Sequence, residues 1–214
     1  MKKRSLFGFF SINSKLVLIN VFLWIVFAIL ILQNSYFIDY IAIKPANILQ
    51  GKYIWTFLTS MFMHGNFFHL FANMFSLLFI GSLVEKILGA RRYLAFYLIS
   101  GLVAGLFFVL SALVFVGDLE TYAVGASGAL FGLVGFLMII TPNLPVYLFF
   151  IPVPIKMKYA GPGILVLLWL ISIAGNVPIG NMAHLGGLIV GLFYGFYLKS
   201  KYKNKTKHIS RYFS

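Results

Sequence analysis

The chain has 214 residues, 61% of them hydrophobic and only 10% charged, whereas a soluble domain is nearer about half apolar and a quarter charged, so that class is excluded. The apolar content also excludes a disordered chain, and the absence of cysteine excludes disulfides, thiol nucleophiles and cysteine-held metals. What remains is a polytopic membrane protein: at about 20 apolar residues per spanning helix, six spans fit with their loops and leave no room for a separate soluble domain.

The start, Met1 to Arg4 followed by an apolar run, has the outline of a secretion signal. The run is too long and no small-x-small cleavage site follows, so it reads as an uncleaved first span over residues 16–32. Residues 33–66 then form a loop too long for a simple hairpin, rich in Tyr36, Phe37, Tyr40, Tyr53, Trp55 and Phe57. Such rings favour the headgroup level, so the loop is expected either to lie partly immersed in the outer leaflet or to serve as a structural cap. Span 2 covers 67–84, span 3 93–116, span 4 126–141, span 5 160–174 and span 6 182–198. Lys44-Pro45, Gly89, Gly117-Asp118, Thr141-Pro142-Asn143, the prolines at 152, 154 and 162, and Asn176 to Asn181 supply the breaks. The apolar stretch 144–151 is too short to span and reads as a re-entrant or interfacial piece. The expected fold is thus an all-α bundle of six transmembrane helices over 16–198, between a basic cytoplasmic N-terminus (1–15) and a basic cytoplasmic tail (199–214).

Orientation follows from the basic residues. With the N-terminus inside, fifteen of the seventeen Lys and Arg residues fall on the inner side, and only Lys44 and Lys52 lie outside. Three of the four acids, Asp39, Asp118 and Glu120, are also outside. The net charge of +13 is therefore a topology anchor that touches anionic lipid, and nucleic acid is not an expected partner.

Polar groups in hydrocarbon usually face a bundle interior or a water-filled cavity. His69 and Asn73 in span 2 are four residues apart and share one helix face. Ser127 opens span 4, and His184 lies just inside span 6. Spans 2, 4 and 6 all run from outside to inside, so all four residues sit at one depth, just below the outer surface. Small residues surround two of them. Ser127 lies between Gly125 and Gly128, with Gly132 a turn further, and Gly187, Gly191 and Gly195 follow His184 along its own face. Glycine stripes let helices approach closely in lipid, as a serine–histidine hydrogen bond between two helices requires. Singly, each residue has an ordinary alternative: a serine bonding its own backbone, a packing histidine, a glycine-mediated helix contact. Their coincidence at one depth points to a nucleophile and its base.

The set G-x-S-G in span 4, A-H-L-G-G in span 6 and H-x-x-x-N in span 2 resembles the rhomboid family of intramembrane serine proteases, in its compact bacterial form, over about residues 50–198. The resemblance implies a dyad with Ser127 as nucleophile and His184 as general base. It also implies that His69, Asn73 and the Ser127 backbone N–H bind the oxyanion. Gly81 and Glu85 look like the family's structural G-x-x-x-E, residues 33–66 like its immersed first loop, and span 5 like the gate for substrate. Two positions depart from the pattern: Trp55 is followed by Thr56 rather than Arg, and Phe131 stands where many members stack a Tyr on the base. A phenyl ring can still stack. The implied partners are transmembrane protein substrates and the lipid bilayer, with no cofactor and no metal; His64 and His69 are five apart, a poor helical ligand pair. His64 reads as a cap on the loop entering span 2. The alternatives are a catalytically inactive relative that binds transmembrane clients, though such members usually lack the serine or the histidine, and a small transporter, though no repeat or deep acid is seen.

Overall fold

The computed structural model describes residues 11–114, 119–147, 153–175 and 180–213. Helix α1 (Ile12–Gln33) is followed by an outer loop folded into α2 (Phe37–Ile41), α3 (Pro45–Leu49), α4 (Thr56–Thr59) and a 3-10 turn, Ser60–Phe62. Helix α5 (Phe67–Ser76), a π-helical turn (Leu77–Gly81) and α6 (Ser82–Leu88) run on as one rod. Gly89, with φ at +79°, ends that rod and turns the chain into α7 (Ala90–Ala112). Helices α8 (Ser127–Ile140), α9 (Met157–Gly175), α10 (Asn181–Lys201) and α11 (Lys203–Tyr212) complete the order. Five rods among the described residues are long and apolar enough to cross a membrane: α1, α5–α6, α7, α9 and α10.

Helix α8 is the exception, and its 14 residues make a rod about 21 Å long, against a hydrocarbon core of about 30 Å. Its shortness follows from its position. It is packed by α7, α9 and α10, and Gly128 to Leu137 are buried without interruption. A helix that meets protein on every side need not match the bilayer. Leu133, Phe136, Leu137 and Ile140 form the middle of the core, against Leu77, Val84, Tyr93 and Tyr97. The lipid-facing rods carry the opposite pattern, with Phe22, Leu32, Val166 and Ile173 exposed.

The segment expected to be re-entrant or interfacial begins as a ribbon arm: Pro145–Val146 pairs antiparallel with Ile155–Lys156. Cross-strand pairing satisfies backbone groups that a short apolar run could not satisfy as a helix. Residues 148–152 lie outside the described residues, as do the break signals at 117–118 and 176, and Lys2, Lys3 and Arg4. The tail after α10 is helical as α11, which sequence reading did not anticipate.

Two polar assemblies brace the bundle. At the start of α1, the Ile12 and Asn13 backbone N–H groups donate to the two carboxylate oxygens of Glu85 at 2.9 and 3.0 Å. Ser11 Oγ accepts from the Ser14 N–H, and the Ser11 carbonyl accepts from Lys15. The three donors at the helix start that lack a partner within the ladder are thereby satisfied, and Lys15 makes the ladder's first bond. The fully buried Asn13 amide donates to the Leu77 carbonyl, 2.8 Å, and to Ser82 Oγ, 3.0 Å, and accepts from the Tyr93 hydroxyl, 2.6 Å. Its donation to Leu77 falls at the start of the π-helical turn, where the regular ladder is interrupted. Gly81 is small because a Cβ there would strike Asn13 Oδ1 and the Tyr93 hydroxyl.

The second assembly straps the outer loop to the segment before Ser127. Ile43 and Ala123 exchange backbone hydrogen bonds, and Gly125 N–H donates to the Ser60 carbonyl. Tyr122 donates to Asp39 at 2.8 Å, Asn47 donates to the same oxygen at 3.0 Å, and Lys44 pairs with Glu120 at 2.6 Å. That bond with Glu120 raises the Lys44 ammonium above its usual range. Tyr40 packs tilted on Tyr53, and Tyr53 edge-on to Trp55, with Trp55 and Tyr36 left exposed, a surface suited to headgroups.

Candidate active site

Ser127 is the first residue of α8, and His184 lies within the first turn of α10. Ser127 Oγ and His184 Nε2 are 2.7 Å apart. The imidazole is buried and stacks on Phe131, one turn along α8, with ring centroids 4.7 Å apart and planes inclined by 25°. Among the described residues its Nδ1 has no hydrogen-bond partner, so packing and stacking orient the ring there where a triad would use a carboxylate.

The approach of the two helices is carried by glycines. A Cβ on Gly187 would strike the Gly128 carbonyl oxygen, and one on Gly191 would strike the Gly132 carbonyl oxygen. A Cβ on Gly135 would strike the Leu188 carbonyl oxygen from the other side, and one on Gly195 would lie 2.8 Å from Ile139 Cβ. Gly128 itself lies against the Ala104 side chain of α7. The stripe along α10 thus contacts backbone for its first two members and a side chain for the third. Backbone against backbone brings Ser127 and His184 within hydrogen-bond reach.

His69 and Asn73 converge on the same end of the bundle. Asn66 caps α5 by accepting from the His69 N–H at 2.8 Å, which fixes the helix start. His69 Nδ1 accepts a long hydrogen bond from the Gly65 N–H, 3.4 Å, which leaves the ring proton on Nε2. Gly125 has φ at +121°, a region that favours glycine. A Cβ there would lie 2.8 Å from both Cε1 and Nε2 of His69 and 3.7 Å from Ser127 Oγ. The space that Gly125 leaves open is therefore bounded by His69 Nε2–H on one side and the serine hydroxyl on the other. Asn73 is buried, and its Nδ2 donates one proton to the His69 carbonyl at 2.8 Å, leaving a second proton uncommitted.

His64 sits behind His69. Its side chain is fully buried, edge-on to the His69 ring at 5.1 Å, and among the described residues neither ring nitrogen makes a hydrogen bond of good geometry, with the Phe62 backbone as a polar neighbour. Its carbonyl accepts from Trp24 Nε1 at 2.8 Å, tying the loop to α1. Burial, reinforced by the neighbouring His69, pushes the His64 imidazole down to about 3. Among the described residues, no three His, Asp or Glu side chains converge as metal ligands would.

Of the residues that sequence reading singled out, Ser127, His184, Phe131, His69 and Gly125 lie together at one end of the bundle; Asn73 lies one turn deeper in α5 than His69, and Gly187, Gly191 and Gly195 run along α10 away from that end. Gly81 and Glu85 lie away from this end, in the α1 brace. The residues it missed are supporting ones: Gly65 and Asn66, which orient His69, and the Asp39–Tyr122 and Lys44–Glu120 contacts. Asn66, directly before a helical apolar run, was the readable cap signal.

A serine–histidine pair set between the ends of buried helices, in a bundle of membrane-spanning rods, defines a class: polytopic helical membrane proteins with the groups for acyl transfer. The rhomboid domain model matches residues 51–201, and the chain belongs to the rhomboid family. It is 37% identical over 148 residues to RHOMBOID-like protein 5 of Arabidopsis thaliana, covering 67% of this chain and 44% of that one. It is 32% identical over 166 residues to Rhomboid protein 1, mitochondrial, of Saccharomyces cerevisiae, covering 71% and 44%. It is also 34% identical over 143 residues to the Inactive RHOMBOID-like protein 8 of Arabidopsis thaliana, covering 65% and 37%. The chain thus spans less than half the length of these relatives, which come from a plant and a yeast.

Proposed function

We propose that this chain is an intramembrane serine endopeptidase that hydrolyses peptide bonds in or near the transmembrane segments of membrane-protein substrates. The observation that carries the reading is the 2.7 Å contact between Ser127 Oγ and His184 Nε2. Neutral His184 accepts the hydroxyl proton as Oγ attacks the scissile carbonyl carbon. The resulting oxyanion is met by the Ser127 N–H, His69 Nε2–H and the uncommitted Asn73 proton, at the helix end where the dipole is positive. The imidazolium then protonates the departing amine, leaving an acyl-serine. Water, deprotonated by the same imidazole, hydrolyses that ester and regenerates both side chains.

The proposed substrates are single-span proteins cut after a small residue near the outer face, where a helix end unwinds readily. The proposed gate is α9. It is buried only at Met157, Ala160 and Gly161, so it is loosely held, and Pro162 within the helix removes one bond from its backbone ladder. The basic asymmetry supports cytoplasmic termini and an outward-opening site; the bacterial cell membrane that the compact form suggests finds no support among the matched relatives, which come from a plant and a yeast. One matched relative is named inactive, which gives a client-binding role without cleavage a specific basis; the intact Ser127–His184 contact argues against it.

Fluorophosphonate labelling of the purified protein, with Ser127→Ala as control and a transmembrane reporter alongside, tests the proposal. Label on the wild type alone, with reporter cleavage, is the expected outcome. A wild type that folds and binds the reporter but neither labels nor cuts it would establish the client-binding role instead.

A further inference from the structure

The opposite end of the bundle holds a cavity that the proposed chemistry does not use. Its volume is about 320 Å³, and it is lined by Ile139, Ile140, Lys199, Lys203, Lys207 and Arg211, with Thr206 and Ser210 between them. A water molecule takes about 30 Å³ of liquid volume, so the cavity admits a much larger group. Ile139 and Ile140 end α8, and Lys199 lies in the last turn of α10. The cavity is therefore a full α8 length, about 21 Å, from Ser127.

Helix α11 supplies the charge. Lys203, Lys207 and Arg211 recur every four residues, so they stand on one face of α11. The buried Thr206 sets that face: its hydroxyl donates back to the Tyr202 and Lys203 carbonyls while α11 packs on α8 and α10. Lys201 and Lys205 do not line the cavity. Lys201 is held over the Tyr197 and Tyr202 rings and donates to the Tyr197 hydroxyl. No Asp or Glu follows Glu120 in the chain, and Glu85 is committed to the backbone of α1. Lys199, Lys203 and Lys207 thus line one hollow whose described lining residues include no Asp or Glu, over an apolar floor at the ends of two membrane helices.

We propose that this cavity is a binding site for the phosphate headgroup of an anionic phospholipid, with the lysines around the phosphate and the first acyl carbons against Ile139 and Ile140. The apolar floor and the position at the ends of α8 and α10 favour a lipid over a soluble anion. The Ser210 hydroxyl on the same wall suits a headgroup that carries its own oxygens.

The test uses the full chain, purified in a neutral detergent, and compares phosphatidylglycerol, phosphatidylcholine and inorganic phosphate as added ligands. Binding is followed by native mass spectrometry and by the rise in Tm. Saturable binding of phosphatidylglycerol is expected, with no comparable response to the other two. Lys203→Gln and Lys207→Gln should each weaken it about fivefold, the factor contributed by one lysine at an anionic surface, and together about 25-fold. Lys205→Gln removes the same charge from α11 off the cavity and should change affinity less than twofold, on the order of diffuse screening alone. Equal losses in Lys205→Gln and Lys203→Gln would reduce the effect to diffuse charge and overturn the site. A matching response to inorganic phosphate would overturn the lipid assignment, and an equal response to phosphatidylcholine would overturn both. Because Lys203→Gln is exposed and distant from Ser127, retained fluorophosphonate labelling checks that each variant is folded.

Discussion

The contact between α8 and α10 can be broken with a single carbon. A Cβ on Gly187 would strike the Gly128 carbonyl oxygen and stand 2.9 Å from its carbonyl carbon and 3.4 Å from the Gly132 nitrogen. These are backbone atoms inside a helix, and they cannot swing aside as a side-chain end does. Helix α10 must therefore shift outward, carrying His184 with it. Ser127 Oγ and His184 Nε2 begin 2.7 Å apart, and a retreat of about 1 Å takes them beyond hydrogen-bond range. Overpacking of this kind typically costs about 1–3 kcal/mol, or roughly 2–12 °C in Tm for a chain of this size. Because the clash occurs at Cβ, Gly187→Ala should already show most of the loss, and Gly187→Val somewhat more. Both should be less stable than His184→Ala, which removes atoms without moving a helix. Gly163 in α9 provides the control: a Cβ there meets nothing within 4 Å, so Gly163→Ala should be neutral or gain up to about 1 kcal/mol from helix propensity. Thermal melts in one detergent, with fluorophosphonate labelling of each variant, measure both effects. Wild-type Tm and labelling in Gly187→Ala would show that the helices do not approach through these glycines.

Ser127→Ala and His184→Ala should each abolish cleavage of a transmembrane reporter while leaving the protein folded; turnover above contaminant level in either would end the dyad. Asn73→Ala should lower kcat by roughly 10–10³-fold with KM little changed, because the Ser127 N–H and His69 remain. A large rise in KM at constant kcat would make Asn73 a substrate-docking residue instead. His64 is buried neutral with its pKa lowered to about 3, so unfolding exposes a group that then binds a proton more readily. Its contribution to stability is complete above about pH 6.5 and is lost as pH falls toward that lowered value. Denaturation followed from pH 7 to 4 should show a shallower decline in His64→Phe than in the wild type, and parallel curves would dismiss the burial argument.

The spans were legible because apolar length is a strong signal, and the central helix because its run is the most uniformly apolar. Ser127 and His184 were legible because charge asymmetry set the spans in order and so placed both at one depth. The brace around Asn13 was not legible. Asn13 precedes the apolar run that begins at 16, so a search for polar groups inside spans passes over it. Asp39 and Tyr122 are 83 residues apart, and nothing in either neighbourhood marks the other. Helix α11 has only a thin inward stripe, Thr206 and Ile209, too sparse to stand out in a basic tail; the recurrence of basic residues at 199, 203, 207 and 211 was its trace.

The brace at Glu85 also orders events in time. The first two backbone donors of α1 are satisfied by a carboxylate that lies 73 and 72 residues further along the chain. While the protein is being synthesised, α1 reaches the bilayer with those donors open, and Asn13 waits for Leu77, Ser82 and Tyr93. The first helix can enter the membrane on its own, but its end closes only when α6 and the start of α7 arrive beside it. The polar lock at this end of the bundle therefore closes only after three spanning rods are in place.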